Sequence, residues 1–188
     1  DYGALLCLQH MQVFVPAFAE DVLAQVEKSN TIPDPIYFRL GRDEKPSGFL
    51  PAPYAPWRRL VQGEGPVALY IGPIVGPTLA LAVDLPIQSR PTIWLVSELP
   101  VTRDSIPGAF IADVNKAGDL IVCEEHVRHG GVGETLGALL LTMDAAPRHY
   151  RHRFAAGYPS GRYGSQEFHR RESGIDAQSL LQEVVRQP

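Results

Sequence analysis

The sequence predicts an α/β chain in which a mostly parallel, three-layer sheet follows a partial βαβ unit. Three observations carry that reading. The runs Val67-Ala-Leu-Tyr-Ile71, Thr92-Ile-Trp-Leu-Val96 and Asp119-Leu-Ile-Val-Cys123 are short, apolar and rich in β-branched residues, as strands buried on both faces are. Segments of helical period stand between them. Strands that alternate with helices are joined by crossovers, and crossovers make parallel sheets with helices on both faces.

Each element has its own signal. Residues 11–15 read as a strand that Pro16 stops. Phe18, Val22, Leu23 and Val26 recur at helical spacing over residues 17–28, and Asn30, Pro33, Asp34 and Pro35 break the chain before a strand at 36–40. One βαβ unit is too small for its own core, so these first residues are expected to pack on the remainder or on a partner chain. From Asp43 to Pro56 four prolines stand with Ser47 and Gly48 and no periodicity, which suits a semi-rigid connector. A second series follows. After the strand at 67–71, Gly72-Pro73 turns into a helix over 74–85 that is expected to begin near Pro77. The strand at 92–96 leads to a helix over 106–117 stopped by Gly118, and the strand at 119–123 to a glycine-rich loop over 124–133. A helix at 134–143, a short strand at 149–154 and a last helix at 176–186 with Asp176 as its N-cap complete the series. The expected division is 1–42, a connector at 43–60, and 61–188.

Composition excludes several classes. The chain has 188 residues, 45% of them hydrophobic, and a net charge of -4, so it can bury a core and is not intrinsically disordered. No apolar run reaches the roughly 18 residues of a membrane span. Asp1 opens the sequence with neither a basic nor a hydrophobic leader region, so no signal peptide is expected and the numbered chain reads as a fragment. Cys7 and Cys123 both have apolar neighbours and read as reduced, buried thiols of a cytoplasmic protein rather than a disulfide framework. Of 17 basic residues 14 are Arg, and residues 147–171 hold six Arg, three His and one acid, Glu167. Net acidity argues against a nucleic-acid binder; the basic stretch suits an anion or an acidic partner surface.

The loop Glu124-Glu-His-Val-Arg-His-Gly-Gly-Val-Gly133 joins a strand end to a helix start, where ligands gather in open α/β sheets. Its glycines, Gly130, Gly131 and Gly133, serve either an anion at the helix N-terminus or simply a tight turn and close packing. The spacing is neither GxGxxG nor a P-loop. His126 and His129 flank Arg128, whose charge opposes a metal ion, so a solvated or interface loop is the better reading. In Arg148-His-Tyr-Arg-His-Arg153, strand alternation puts His149, Arg151 and Arg153 on one face: a basic face, not a ligand set. There is no GxSxG elbow, Cys123 lies in an apolar strand, and Ser165 reads best as an N-cap. Arg39 and Arg42, at the end of a parallel strand in Phe38-Arg-Leu-Gly-Arg42, suit either a bidentate clamp on a phosphate or carboxylate or an ion pair across the domain boundary.

Together the motifs resemble a family. Met11-Gln-Val-Phe-Val-Pro-Ala-Phe-Ala-Glu-Asp-Val22 followed by Pro35-Ile-Tyr-Phe-Arg-Leu-Gly-Arg42 resembles the end of the pyrimidine-binding domain of transketolase-like enzymes. Asp119-Leu-Ile-Val-Cys-Glu-Glu125 with Gly130-Gly-Val-Gly133 resembles the core of their C-terminal domain, and Tyr163-Gly-Ser-Gln166 with Glu172-Ser-Gly-Ile-Asp176 the tail of that domain. The resemblance implies that 1–42 is a pyrimidine-domain remnant and 61–188 a transketolase C-terminal-like domain. It implies two-carbon ketol transfer between sugar phosphates with thiamine diphosphate and Mg²⁺ in a full assembly, where the cofactor breaks the bond and protein supplies position and charge. It implies a homodimer or a complex with a thiamine diphosphate-binding N-terminal subunit. It matches Arg42 to the family's sugar-phosphate arginine and Arg39 to a neighbouring basic position, and makes Gly130 to Gly133 structural. The departures are equally specific. No Gly-Asp-Gly occurs for diphosphate and Mg²⁺, and the activating Glu would lie upstream of Asp1. Ala4-Leu-Leu-Cys-Leu-Gln-His10 stands where the family has a longer segment with a Thr-His or His-His pair and an acidic residue, and His10 directly precedes the strand, so it is not equated with the substrate-binding His. The isolated chain is therefore expected to be inactive and to bind no cofactor. The alternatives are a non-catalytic assembly or anion-binding module and the β subunit of a 2-oxoacid dehydrogenase.

Overall fold

The computed structural model describes residues 1–42 and 44–185. The predicted connector start at Asp43 and helix end at Arg186 lie outside the described residues. The elements run α1 (Tyr2–Leu5), β1 (Gln12–Phe14), α2 (Ala19–Ser29), β2 (Ile36–Phe38), β3 (Trp57–Val61), β4 (Val67–Ile71), α3 (Val75–Ala82), β5 (Thr92–Val96), β6 (Glu98–Leu99), α4 (Gly108–Ala117), β7 (Asp119–Glu124), α5 (Val132–Thr142), β8 (His149–Arg153), α6 (Gln166–Glu172) and α7 (Ala177–Val185).

Among the described residues the strands form two sheets, in the orders β2-β1-β6 and β3-β5-β4-β7-β8. The larger is parallel from β5 through β8, with β3 added antiparallel at its edge. Strand alternation sorts its side chains. Leu69, Leu120 and Val122 pack with Phe110 and Val114 of α4 and with Leu136 and Leu140 of α5. Ala68, Tyr70, Ile121 and Cys123 pack on the other side with Leu79 of α3 and with Leu180 and Val184 of α7. Each large apolar side chain so buried contributes about 1.5–3 kcal/mol relative to leaving it exposed. This is the three-layer α/β architecture that the sequence predicts.

The βαβ unit does not stand alone. β1 pairs in parallel with β2, and on its other edge β6 pairs antiparallel with it, Val13 opposite Leu99. A strand from beyond the connector thus completes the small sheet. Val13 and Val15 are buried, whereas Ile36 and Phe38 are half-buried. A buried ion pair adds a second tie: Arg58 of β3 reaches the Asp21 carboxylate of α2 at 2.6 Å. That carboxylate also accepts the Ala17 and Phe18 N–H groups and so caps α2.

Several local expectations change. Cys7, two residues beyond the single turn of α1, is exposed, and its thiol donates to the Gly3 carbonyl at 3.5 Å; Cys123 is buried. β3 lies in the stretch read as the end of the connector: Trp57 and Val61 point into the core although Arg58 and Arg59 interrupt the apolar run. The helix after β4 ends at Ala82 and is preceded by a 3-10 turn over Gly72–Ile74 in which Gly72 takes φ +71°. α5 begins two residues before Glu134, α6 and α1 are additional, and β6 is too short to show a period. Gly118 stops α4 in the left-handed region at φ 67°. No helix among the described residues is long and apolar enough to cross a membrane.

Candidate functional site

The carboxyl end of β7 is the point on which three parts of the chain converge. Glu124, its last residue, is fully buried. Its carboxylate accepts the backbone N–H groups of Val132 and Gly133, both at 2.9 Å, at the start of α5. It also accepts the Tyr2 hydroxyl from α1, and it meets His152 Nε2 of β8 at 2.5 Å. Burial pushes the Glu124 carboxyl up, but the hydrogen bonds from His152, Tyr2, Gly133 and Val132 outweigh it and hold it below the ordinary carboxylate range. The α5 N-terminus thus already holds an anion, the chain's own. That explains why α5 starts at Val132. It also gives Gly133 its reason: a Cβ there would overlap the His152 ring.

The Tyr2 ring stacks on His126 at 4.0 Å between centroids and lies 5.6 Å from the Arg39 guanidinium carbon. His126 donates from Nδ1 to the Val127 carbonyl at 2.6 Å and accepts Gly3 N–H at Nε2, 3.3 Å. Those roles need the neutral ring, and burial lowers its pKa. Burial and the adjacent Glu124 push the Tyr2 hydroxyl up, so it stays a donor.

The next residue, Glu125, organises a second network. Arg170 of α6, itself buried, gives it a forked contact at 3.1 and 3.0 Å and reaches Glu44 Oε2 at 2.6 Å. Gln166 donates to the same Glu125 carboxylate. Burial lowers the Arg170 pKa, yet Glu125 and Glu44 more than restore it. The arm after β2 is therefore clamped. Glu44 is held by Arg170, a Cβ at Gly41 would collide with Pro73, and one at Gly76 would collide with the Glu44 backbone.

The residues singled out from sequence fall into distinct places. Arg39 is committed: Nε binds the Asp1 carboxylate at 3.1 Å and Nη2 the Glu125 carbonyl at 2.7 Å. Arg42 is exposed, and its side chain makes no hydrogen bond or ion pair among the described residues. It lines a cavity of about 620 Å³ with Arg170, Arg171, Ser165 and Gln166. Arg128 and His129 are exposed beside Glu134, at 3.3 and 3.6 Å. Gly130 takes φ +70° and packs on Gly3, and Gly131 stands at the N-cap of α5. The basic face of β8 is neutralised from within: Arg151 pairs with Asp119 at 2.5 Å and with Glu183 at 3.0 Å, and Arg153 with Glu183 at 2.6 Å. Ser165 caps α6 through Phe168 N–H. Burial raises the Cys123 thiol pKa, which keeps it protonated and inert.

Sequence reasoning missed Tyr2, Arg170 and Glu44. Only Glu124 carried a signal, an acid closing an apolar strand before a glycine-rich helix start. Among the described residues no group of three His, Cys, Asp or Glu side chains is placed to hold a metal ion. With Gly-Asp-Gly also absent from the sequence, the residues present do not fit a diphosphate–Mg²⁺ site.

No protein-family model matches the chain, and no curated protein does. Solved structures do match. A split-gene transketolase, described as an inactive β4 tetramer, is similar at 23% identity and TM-score 0.76 over 97% of this chain and 60% of its own. Transketolase from Campylobacter jejuni is similar at 12% identity and TM-score 0.64, over 98% of this chain and 27% of its own. Transketolase from Leishmania mexicana gives 16% identity and TM-score 0.60, over 97% of this chain and 26% of its own. The fold is that of the C-terminal part of transketolases, and the chain spans about 60% of the split-gene chain.

Proposed function

We propose that this chain is the C-terminal part of a transketolase-like, thiamine diphosphate-dependent transferase that moves two-carbon ketol units between sugar phosphates. In this reading it works as a homodimer or with a subunit that carries the diphosphate and Mg²⁺ ligands, and alone it is inactive. The observation that carries the reading is that the small and the large sheet together match a split-gene transketolase over 97% of the chain. Arg42 is the substrate-phosphate residue: it is exposed, has no partner among the described residues, and is presented by a clamped arm at the carboxyl ends of the strands. Arg39 acts by holding that end of the sheet to Glu125 and Asp1. A second reading, an assembly module without catalysis, is favoured by the structural use of every donor around Glu124.

The test is Arg42→Lys in the assembled protein. The substitution keeps the charge and loses the planar fork. KM for a phosphorylated sugar should rise by about tenfold or more, the loss of a charge-assisted hydrogen bond worth about 1.5–3 kcal/mol, with a smaller effect on an unphosphorylated analogue. Equal losses for both substrates with a lowered Tm would assign Arg42 a structural role instead.

A further inference from the structure

The cavity beside Arg42 has a second wall that the sequence did not connect with it. Its volume is about 620 Å³, the size of a small-ligand site. One side is the Arg42 arm; the other is α6 and the start of α7, with Arg171, Ser165, Gln166 and Gln178. Among the described residues three acids also line it, and each of the three is accounted for. Glu44 is neutralised by Arg170 at 2.6 Å. Asp176 is turned into the N-cap of α7, accepting from Gln178 and Ser179. Glu167 is 78% exposed and stands 4.0 Å from Arg171, at the limit of an ion pair. Arg42 has no partner among the described residues, and Arg171 has only that loose one. Two guanidinium groups from separate elements therefore face one cavity with unspent charge, on a frame that Arg170 fixes.

We propose that Arg171 is the second cation of the Arg42 anion site and that the cavity takes the phosphate of a small phosphorylated ligand between the two. This rests on the reading of Arg42 given above. Planar forks from two separate elements recognise a phosphate by geometry as well as charge, which a single exposed arginine does weakly.

The experiment is calorimetric titration of the full chain with a pentose 5-phosphate and, separately, with inorganic phosphate. The proteins are the parent, Arg42→Ala, Arg171→Ala and the double variant. Both side chains are exposed, so truncation leaves the core intact, and an unchanged Tm verifies it. Each single variant should weaken binding by about tenfold, and the double by less than the product of the two, because both groups hold one phosphate. Weakening by Arg42→Ala with none by Arg171→Ala overturns the proposal and leaves the Arg42 reading standing. The reverse pattern, or no effect of either variant, overturns both. Inorganic phosphate bound as tightly as the ester, with the same dependence on both arginines, supports a site for phosphate itself; tighter binding of the ester supports recognition of the sugar as well.

Discussion

Glu124→Gln should be among the most damaging conservative changes in this chain. The side chain is fully buried, and its two oxygens serve four donors: Tyr2, His152 and the N–H groups of Val132 and Gly133. An amide of the same shape offers one acceptor oxygen and turns an NH₂ toward donors, so some lose their partner. It also removes the negative charge at the α5 N-terminus. Breaking a buried charged contact from one side costs about 3–5 kcal/mol, which for a chain of this length is a fall in Tm of about 6–20 °C. Tyr2→Phe removes one donor and leaves three, so about 1.5–3 kcal/mol is expected. Because the two residues share one hydrogen bond, the double variant should lose less than the sum of the singles. Urea unfolding of the four proteins, with thermal melts alongside, measures all of this. A loss under about 1 kcal/mol for Glu124→Gln, or strict additivity with Tyr2→Phe, would refute the idea that Glu124 ties the three segments together.

Stability should fall on acidification in two stages. His126 is held neutral, with its pKa below the ordinary 6.5, so the unfolded chain takes up the proton first and stability present above that value is lost as pH falls. Glu124, held below 4.5, contributes stability that is present above that value and is lost as pH drops through its lowered folded pKa. Urea midpoints between about pH 7.5 and 2.5 test both, and His126→Gln should flatten the upper part; a midpoint that rises toward acid in the upper part would contradict the assignment. Arg170→Ala leaves Glu125 and Glu44 without their shared cation and should cost about 3–5 kcal/mol, whereas Arg170→Lys should recover only part, since one ammonium cannot make the fork. Calorimetry with Mg²⁺ present should show no thiamine diphosphate binding to the isolated chain tighter than about 1 mM, or some 4 kcal/mol.

The larger sheet was legible because its strands are buried on both faces. Val67–Ile71 and Thr92–Val96 have the predicted bounds, since nothing polar interrupts them. β3 was hidden by Arg58 and Arg59, whose charges are met by Asp21 and Asp113 from helices distant in sequence. β6 is two residues long and exists only because β1 offers it an edge. Arg39 and Arg42 were found by strand position, but sequence could not divide their roles; Asp1 and Glu125 decide that for Arg39. Tyr2 and Arg170 were invisible because their partners lie 122 and 126 residues away, and one sequence carries no trace of such pairing.

Reconstitution with a cofactor-binding subunit decides whether this chain is part of a transferase. The chain would be co-expressed with a transketolase N-terminal polypeptide that carries Gly-Asp-Gly and a downstream Asn, and the purified complex assayed for ketol transfer between sugar phosphates with and without thiamine diphosphate and Mg²⁺. The expected result is a stable complex whose turnover requires the cofactor and both chains. A stable complex with no cofactor-dependent transfer, or full turnover by the partner without this chain, would contradict it.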